Sequence, residues 1–364
     1  MQKLREQETI SLQCYLEALQ TKKYSFRTLQ KELTSRNMPS AQGWEPLFEK
    51  YKDPSIKKSD KGKWSLILKE LYDNHIRYGS KAIFMFEIDR KLALKIADSF
   101  PGMVDQESPF RTSFPFVLDD ESLKKTSLKP SVTLVEPEND RGSRLICCYK
   151  RAYKEREQIE LESLNTDAIK QKTILEAFTD FEEIYGIRCG FTQSFDCIVI
   201  RPDEERLELQ IDHCRQLNTD DLIKSFYKKL LNIWIEDTFK IKNALNSPIN
   251  FYPILQKLYK EDDGKIFKLG HVTGTDSIKE ERMRRGHLDL REEPFHKKGL
   301  QAVVDTDPFS LTKKWDSEHG TTSPSVTIPG YSSHAGASDA KIEYVIINDC
   351  SCKQDFEMVL DKLF

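Results

Sequence analysis

Apolar and polar positions alternate in two different periods along the centre of the chain, and each period predicts a different element. From Arg206 to Asp212, Leu207, Leu209 and Ile211 interleave with Arg206, Glu208, Gln210 and Asp212. That is the two-residue period of a strand with one dry and one wet face. Leu222, Ile223, Phe226, Leu230, Ile233 and Trp234 recur instead at helical spacing, and predict a helix running to about Ile241 with one apolar stripe. Phe195 to Arg201 supplies a strand before Arg206, across a Pro202-Asp203 turn. A similar order precedes it. Arg144 to Tyr153 and Gln158 to Glu162 read as two strands, and Ile169, Ile174, Ala177, Phe178, Phe181, Ile184 and Tyr185 mark a helix to Ile187.

The tetrapeptide Leu-Asn-Thr-Asp opens both helical runs, at 164–167 and 217–220. Asn and Thr oxygens can accept from the free N–H groups of a first turn, so Thr166 and Thr219 are expected N-caps. Residues 131–245 are therefore expected to form a central α+β domain of duplicated strand-strand-helix units, its helices on the dry face of a mixed or antiparallel sheet.

The first hundred residues read as helical. Ile10, Leu12, Tyr15, Leu16 and Leu19 mark a helix over 7–20. Ser25 is placed to cap Phe26 to Arg36, and Ser40 to cap a helix with Trp44, Leu47, Phe48 and Tyr51. Such a triplet can be a helix-turn-helix unit. Asp53 to Lys63 reads as a lysine-rich loop, and Trp64 to Tyr78 as a further helix. Lys81 to Ile88 is apolar enough for a buried strand, and Arg90 to Phe100 is helical in pattern. Proline punctuates the stretch from Pro101 to Pro130, where the boundary of a basic helical domain, 1–100, is expected. Ser131 to Glu136 resumes as a strand. Residues 250–364 are expected to be a small mixed α+β region or an extension of the central sheet. Its strands are placed at Lys265 to His271, Leu300 to Val304, Ser325 to Ile328 and Ile342 to Ile347, with a helix at Gln354 to Leu363 and a loop over Trp315 to Ala340.

Charge divides the chain. The 364 residues hold 56 Lys and Arg against 59 Asp and Glu, yet residues 1–81 hold 16 against 10, leaving 40 against 49 for the remainder. A basic head thus precedes an acidic body. Lys22, Lys23, Arg27, Lys31 and Arg36 lie on and beside the second helix, and Lys57, Lys58, Lys61 and Lys63 on the following loop. These nine are the candidate phosphate contacts, and DNA or RNA binding by the head is the leading expectation. A protein partner for an adaptor or assembly subunit is the competing one.

A third reading is a metal-dependent nuclease built on Asp203, Glu208 and Gln210. There Gln210 stands where a lysine would position water, so no catalytic residue is assigned. His271, His287, His296, His319 and His334, with Asp289, Arg282, Arg284, Arg285 and Arg291, enrich the C-terminal part in groups that bind metals or anions. None has the spacing of a metal motif, and Cys350-Ser351-Cys352 is a weaker candidate still. Eight scattered cysteines without a Cys-x-x-Cys pair suggest reduced, buried thiols. The sequence Gly270-His271-Val272-Thr273-Gly274 lacks the lysine of a phosphate loop, no dinucleotide fingerprint follows a strand, and no serine elbow occurs, so no cofactor is expected. The charged N-terminus and the want of long apolar runs predict a cytoplasmic protein with no membrane association.

Overall fold

The computed structural model describes residues 12–139, 141–160, 173, 176–178, 180–213, 220–285, 288–303, 306–318 and 320–364. The chain opens with α1 (Leu12–Thr21), α2 (Phe26–Ser35), α3 (Trp44–Lys52) and α4 (Lys58–Tyr78). Ser25 caps α2 by accepting from Thr28 N, as its position predicts. Gly43, not Ser40, precedes α3. The expected lysine-rich loop is shorter than its composition suggests, because α4 already begins at Lys58. Lysine is a good helix former, and Gly62 sits in the exposed first turns, where its cost is tolerated.

Next come β1 (Lys81–Glu87), α5 (Arg90–Ser99), α6 (Pro109–Ser113), α7 (Asp120–Lys125), β2 (Ser131–Pro137), β3 (Ser143–Gln158), β4 (Tyr185–Arg201) and β5 (Arg206–Asp212). They are followed by α8 (Asp220–Phe239), α9 (Ile254–Lys260), β6 (Lys265–Thr273), β7 (Ile278–Arg282), α10 (Pro294–Ala302), β8 (Thr306–Lys314), β9 (Ser325–Ile328), β10 (Val345–Asn348) and α11 (Lys353–Asp361). Leu300, expected to open a strand, lies in the last turn of α10, because Pro294 starts a helix whose N-cap Glu293 accepts from His296 N.

The fold is α+β. Among the described residues ten strands form one antiparallel sheet in the order β2-β3-β4-β5-β1-β10-β9-β8-β6-β7. Residues expected in three separate regions share this sheet, since β1 lies between β5 and β10. The C-terminal strands therefore extend the central sheet. Among the described residues the strands of the first expected unit differ from those of the second. Where two short strands and a turn are expected after Arg144, β3 runs unbroken for 16 residues and pairs with β4 along its whole length. Tyr185 to Ile187, expected at the end of a helix, begin β4. Thr166 and Thr219 and most of the first expected long helix lie outside the described residues.

Cross-strand register shows how the core is divided. One face carries Leu145, Ile198, Leu209 and Phe84, covered by Leu92 and Ile96 of α5 and by Ile223, Tyr227, Leu231 and Ile235 of α8. On the other face, Ile146, Cys197, Gln210, Ile83 and Val345 follow one another across five strands. Helices α1 to α4 cover its β3 and β4 end, and α9 and α11 its β1 and β10 end. Between those two apolar clusters runs the polar side of β5. The expected wet face is thus buried, with Glu208 and Gln210 both 0% exposed. Cys147, Cys148, Cys197 and Cys350 are buried free thiols, whereas Cys14 and Cys189 are exposed.

Candidate functional site

Six of the nine head cations, Lys23, Arg27, Lys31, Lys57, Lys58 and Lys63, are exposed, and Lys61 is half-buried. Lys58, Lys61 and Lys63 lie on α4 and not on a loop. Lys22 is turned inward. Its Nζ donates to the Gln193 carbonyl at 2.9 Å and to Asp212 Oδ2 at 3.2 Å, and it lies 5.1 Å from the centre of the Phe195 ring. Arg36 is taken up by Glu70 at 3.2 Å and Glu32 at 3.5 Å. Lys22 and Arg36 are therefore structural in the first instance, holding the helical head to the sheet and α2 to α4.

Glu208 cannot hold a metal as it stands, for its oxygens are already used. Oε1 accepts from Nε of both Arg201 and Arg206 at 2.8 Å, and Oε2 accepts from Gln210 Nε2 at 2.6 Å. Burial alone would raise the Glu208 carboxyl, but the two guanidiniums hold it below the ordinary glutamate value. The set continues through Gln210 to Arg144, Glu138 and Lys353, and through Arg201 to Glu357 on α11. It is a buried ionic seam between two apolar clusters. Asp203 lies at the surface and pairs with Arg90 at 2.5 Å.

At the far end of β5 the polar line reaches a cleft of about 380 Å³. Thr21, Lys22 and Lys23 from the α1–α2 turn, Tyr153 of β3, and Phe191 and Gln193 of β4 contribute to its lining. Asp212 lies on its floor, bound by Lys81 and Lys22 and accepting from Phe195 N at 2.8 Å. Burial opposes its charge, but the two ammonium groups hold it well below the usual carboxylate range. His75, whose Nε2 is 3.0 Å from the Lys22 carbonyl oxygen, is driven down to about 4 chiefly by burial, and so stays neutral.

Asp196 points to the opposite face, accepting from Asp212 N at 2.9 Å and Tyr227 O–H at 3.0 Å. Burial raises it to about 6, against the lowering effect of Arg151. Between the ordinary value of 3.8 and about 6, the folded protein keeps a proton that the unfolded chain releases, so stability from this group falls as pH rises through that window. Asp196→Asn keeps one oxygen for the Asp212 N–H, turns its NH2 towards the Tyr227 hydroxyl, which can accept in its turn, and removes the titration. Its denaturation midpoint is expected to exceed the wild-type value at pH 7 and to converge with it near pH 4.

The feature that sequence reasoning missed is the outer half of the β3–β4 hairpin. Beyond Arg151 the two strands leave the helices and form a two-stranded ribbon, pairing Ala152 with Phe191, Lys154 with Cys189, Arg156 with Ile187 and Gln158 with Tyr185. Cross-strand partners share a face. This face lies on the α1–α4 side of the sheet, because it continues the line of Ile146 and Cys148. Its paired rungs carry Lys154, Arg156, Tyr185, Ile187 and Phe191, with Glu155 and Glu157 on the other side, and at the outer end Tyr185 O–H donates to Glu183 at 2.5 Å. Tyr185, Ile187 and Phe191 are 43%, 70% and 40% exposed, and the Arg156 guanidinium stacks 3.9 Å from the Tyr185 ring centre. The available signal was the two-residue period of Tyr185, Ile187, Cys189 and Phe191.

In the C-terminal part, the structure brings His271 and His296 together, ring centres 6.3 Å apart, on either side of Glu281. His296 Nδ1 is 3.0 Å and His271 Nε2 3.8 Å from Glu281 Oε1, while His296 Nε2 meets Tyr259 O–H at 2.8 Å. Burial lowers the His271 imidazole. Both rings are buried within a packed layer. His334 is separate, its Nδ1 accepting from Tyr331 N at 3.1 Å, and His287 and His319 lie outside the described residues. Arg291 pairs with Asp289 and donates to the carbonyls of Tyr259, Glu261 and Gly264, while Arg282 stacks on Phe267. Among the described residues no group of three or more His, Cys, Asp or Glu could hold a metal ion, and no helix is long and apolar enough to cross a membrane. No protein-family model matches the chain, and no curated protein matches it either.

Proposed function

We propose that the protein binds single-stranded nucleic acid on the α1–α4 side of its sheet, with the β3–β4 ribbon as the stacking platform and the helical head adding phosphate contacts. The observation that carries this reading is the ribbon face, where Lys154 and Arg156 lie among exposed Tyr185, Ile187 and Phe191 and the paired rungs themselves carry no acid. Bases stack on aromatic rings whatever their identity, and cations beside the rings meet the phosphates, so such a face favours an unpaired strand over a duplex. Lys23 and Arg27 at the start of α2, Lys31 further along it, and Lys57, Lys58, Lys61 and Lys63 at the start of α4 supply the sequence-independent attraction.

The test is fluorescence anisotropy with labelled 20-nucleotide single strands and the matching duplex. Wild-type protein is expected to prefer the single strand. Reversing Lys154 and Arg156 to Glu is expected to weaken it by at least about tenfold at low salt. Reversing Lys57, Lys58, Lys61 and Lys63 should weaken single strand and duplex alike, since these groups recognise only phosphate. Equal binding by wild type and the Lys154, Arg156 variant would remove the ribbon from the interface.

A second reading, a protein-docking adaptor, is favoured by the outer side of α8, where Phe226, Leu230 and Ile233 are 42%, 40% and 50% exposed at helical spacing. If that stripe docks a partner, Leu230→Lys would abolish the association without lowering the denaturation midpoint.

A further inference from the structure

We propose that the cleft beside the ribbon holds one unstacked nucleotide of the bound strand, its base inside and its phosphate at the mouth near Lys23. This deepens the ribbon reading and rests on it. The cleft, at about 380 Å³, falls within the size range of small-molecule sites, and the Phe191 ring that lines it shares a ribbon face with Gln193, while Tyr153 belongs to the opposite face. A strand stacked along Tyr185 and Phe191 would arrive directly at its entrance.

Gln193 gives the cleft its chemistry. It is 2% exposed, its Oε1 accepts from Leu118 N at 3.0 Å, and among the described residues its Nε2 has no hydrogen-bond partner. A buried amide donor without a partner is costly, and a ligand carrying an acceptor relieves that cost. Thr192 and Ser194 also line the cleft but belong to the other face of β4, where Ser194 Oγ donates to the Tyr149 carbonyl at 3.4 Å. A nucleobase edge offers the carbonyl and ring-nitrogen acceptors that the Gln193 amide selects.

The charge around the cleft argues for base recognition over simple anion capture. Lys22 and Lys81 are spent on Asp212, and Asp120 stands at the lining opposite Lys23, so the site has no large positive excess. A free phosphate would find little there. A base between aromatic and amide groups would find a complementary wall.

The experiment is calorimetric titration of the full-length protein with the four nucleoside 5′-monophosphates, ribose 5-phosphate and inorganic phosphate, one at a time. Saturable one-to-one binding of at least one monophosphate is expected, with ribose 5-phosphate at least about tenfold weaker. Gln193→Met is expected to weaken the preferred monophosphate by about tenfold. Phe191→Ala, at a half-exposed position where misfolding is not the issue, should weaken it to a similar degree and decides the matter if the Gln193 variant fails to fold. The Lys154, Arg156 charge reversal should leave the monophosphate unaffected while it weakens the 20-nucleotide strand. Monophosphate binding without strand binding would support the cleft and overturn the ribbon. Strand binding without any saturable monophosphate binding would overturn the cleft alone. Equal binding of ribose 5-phosphate and the monophosphates, or no effect of Phe191→Ala, would overturn base recognition.

Discussion

Glu208→Ala is expected to destabilise the protein by about 3–5 kcal/mol, a large fraction of the stability of an ordinary domain. The carboxylate is fully buried and is the shared acceptor of Arg201, Arg206 and Gln210. Its removal leaves two guanidiniums and an amide in a site closed by α11, with Glu204, Glu357 and, at 3.9 Å from Arg201, Glu138 to share the charge of the arginines. Denaturant midpoints and slopes of the two proteins measure this directly. A change below about 1 kcal/mol would mean that solvent reaches the seam. Glu208→Gln should be intermediate, because it keeps an acceptor but loses the charge.

The second large effect is expected at Lys81, which is 0% exposed and donates to the carbonyls of Ile76 and Phe195 as well as to Asp212. Lys81→Met fills similar space but removes the donor to two carbonyls and leaves the Asp212 carboxylate with Lys22 and the Phe195 N–H. A loss of about 3 kcal/mol at pH 7 is expected. The pH dependence carries the signature. The Asp212 carboxyl is held below its ordinary 3.8, so the stability it contributes is complete above 3.8 and is lost as pH falls towards the folded-state value. In the variant that depression is smaller, so the loss begins at the same 3.8 but is complete at a higher pH. The difference between wild type and variant should therefore narrow on acidification. A difference that stays constant from pH 7 down to about pH 2 would show that Lys81 acts by packing alone.

These two sites also show where sequence patterns stop. The alternation from Arg206 to Asp212 places β5 and chooses its apolar face correctly, but a period of two cannot say what covers the other face. Here the cover is α11, whose Glu357 and Lys353 come from the far end of the chain. Lys22 shows the same limit, since its partner Asp212 is 190 residues away and no local rule sets a tethering lysine apart from a phosphate-binding one. The N-cap at Ser25, the buried strand from Lys81 and the helix from Arg90 depend on near neighbours, and they appear where the sequence puts them. The ribbon was lost because Lys154-Glu155-Arg156-Glu157 has the composition of a turn. A solvated two-stranded arm buries neither side, so its charges carry no sign of a strand interior.

The measurement that tests the central claim most directly is the salt dependence of single-strand binding for wild type, Arg156→Gln and Phe191→Ala. If Arg156 meets a phosphate, its neutral replacement should reduce the slope of log affinity against log salt by about 0.7, the value for one contact on a single strand. If Phe191 stacks a base, Phe191→Ala should weaken binding by about 1–3 kcal/mol at every salt concentration and leave the slope unchanged. Those two results together would establish the ribbon as the interface. Wild-type slope and affinity in both variants, or no binding by the intact protein at low salt, would contradict it.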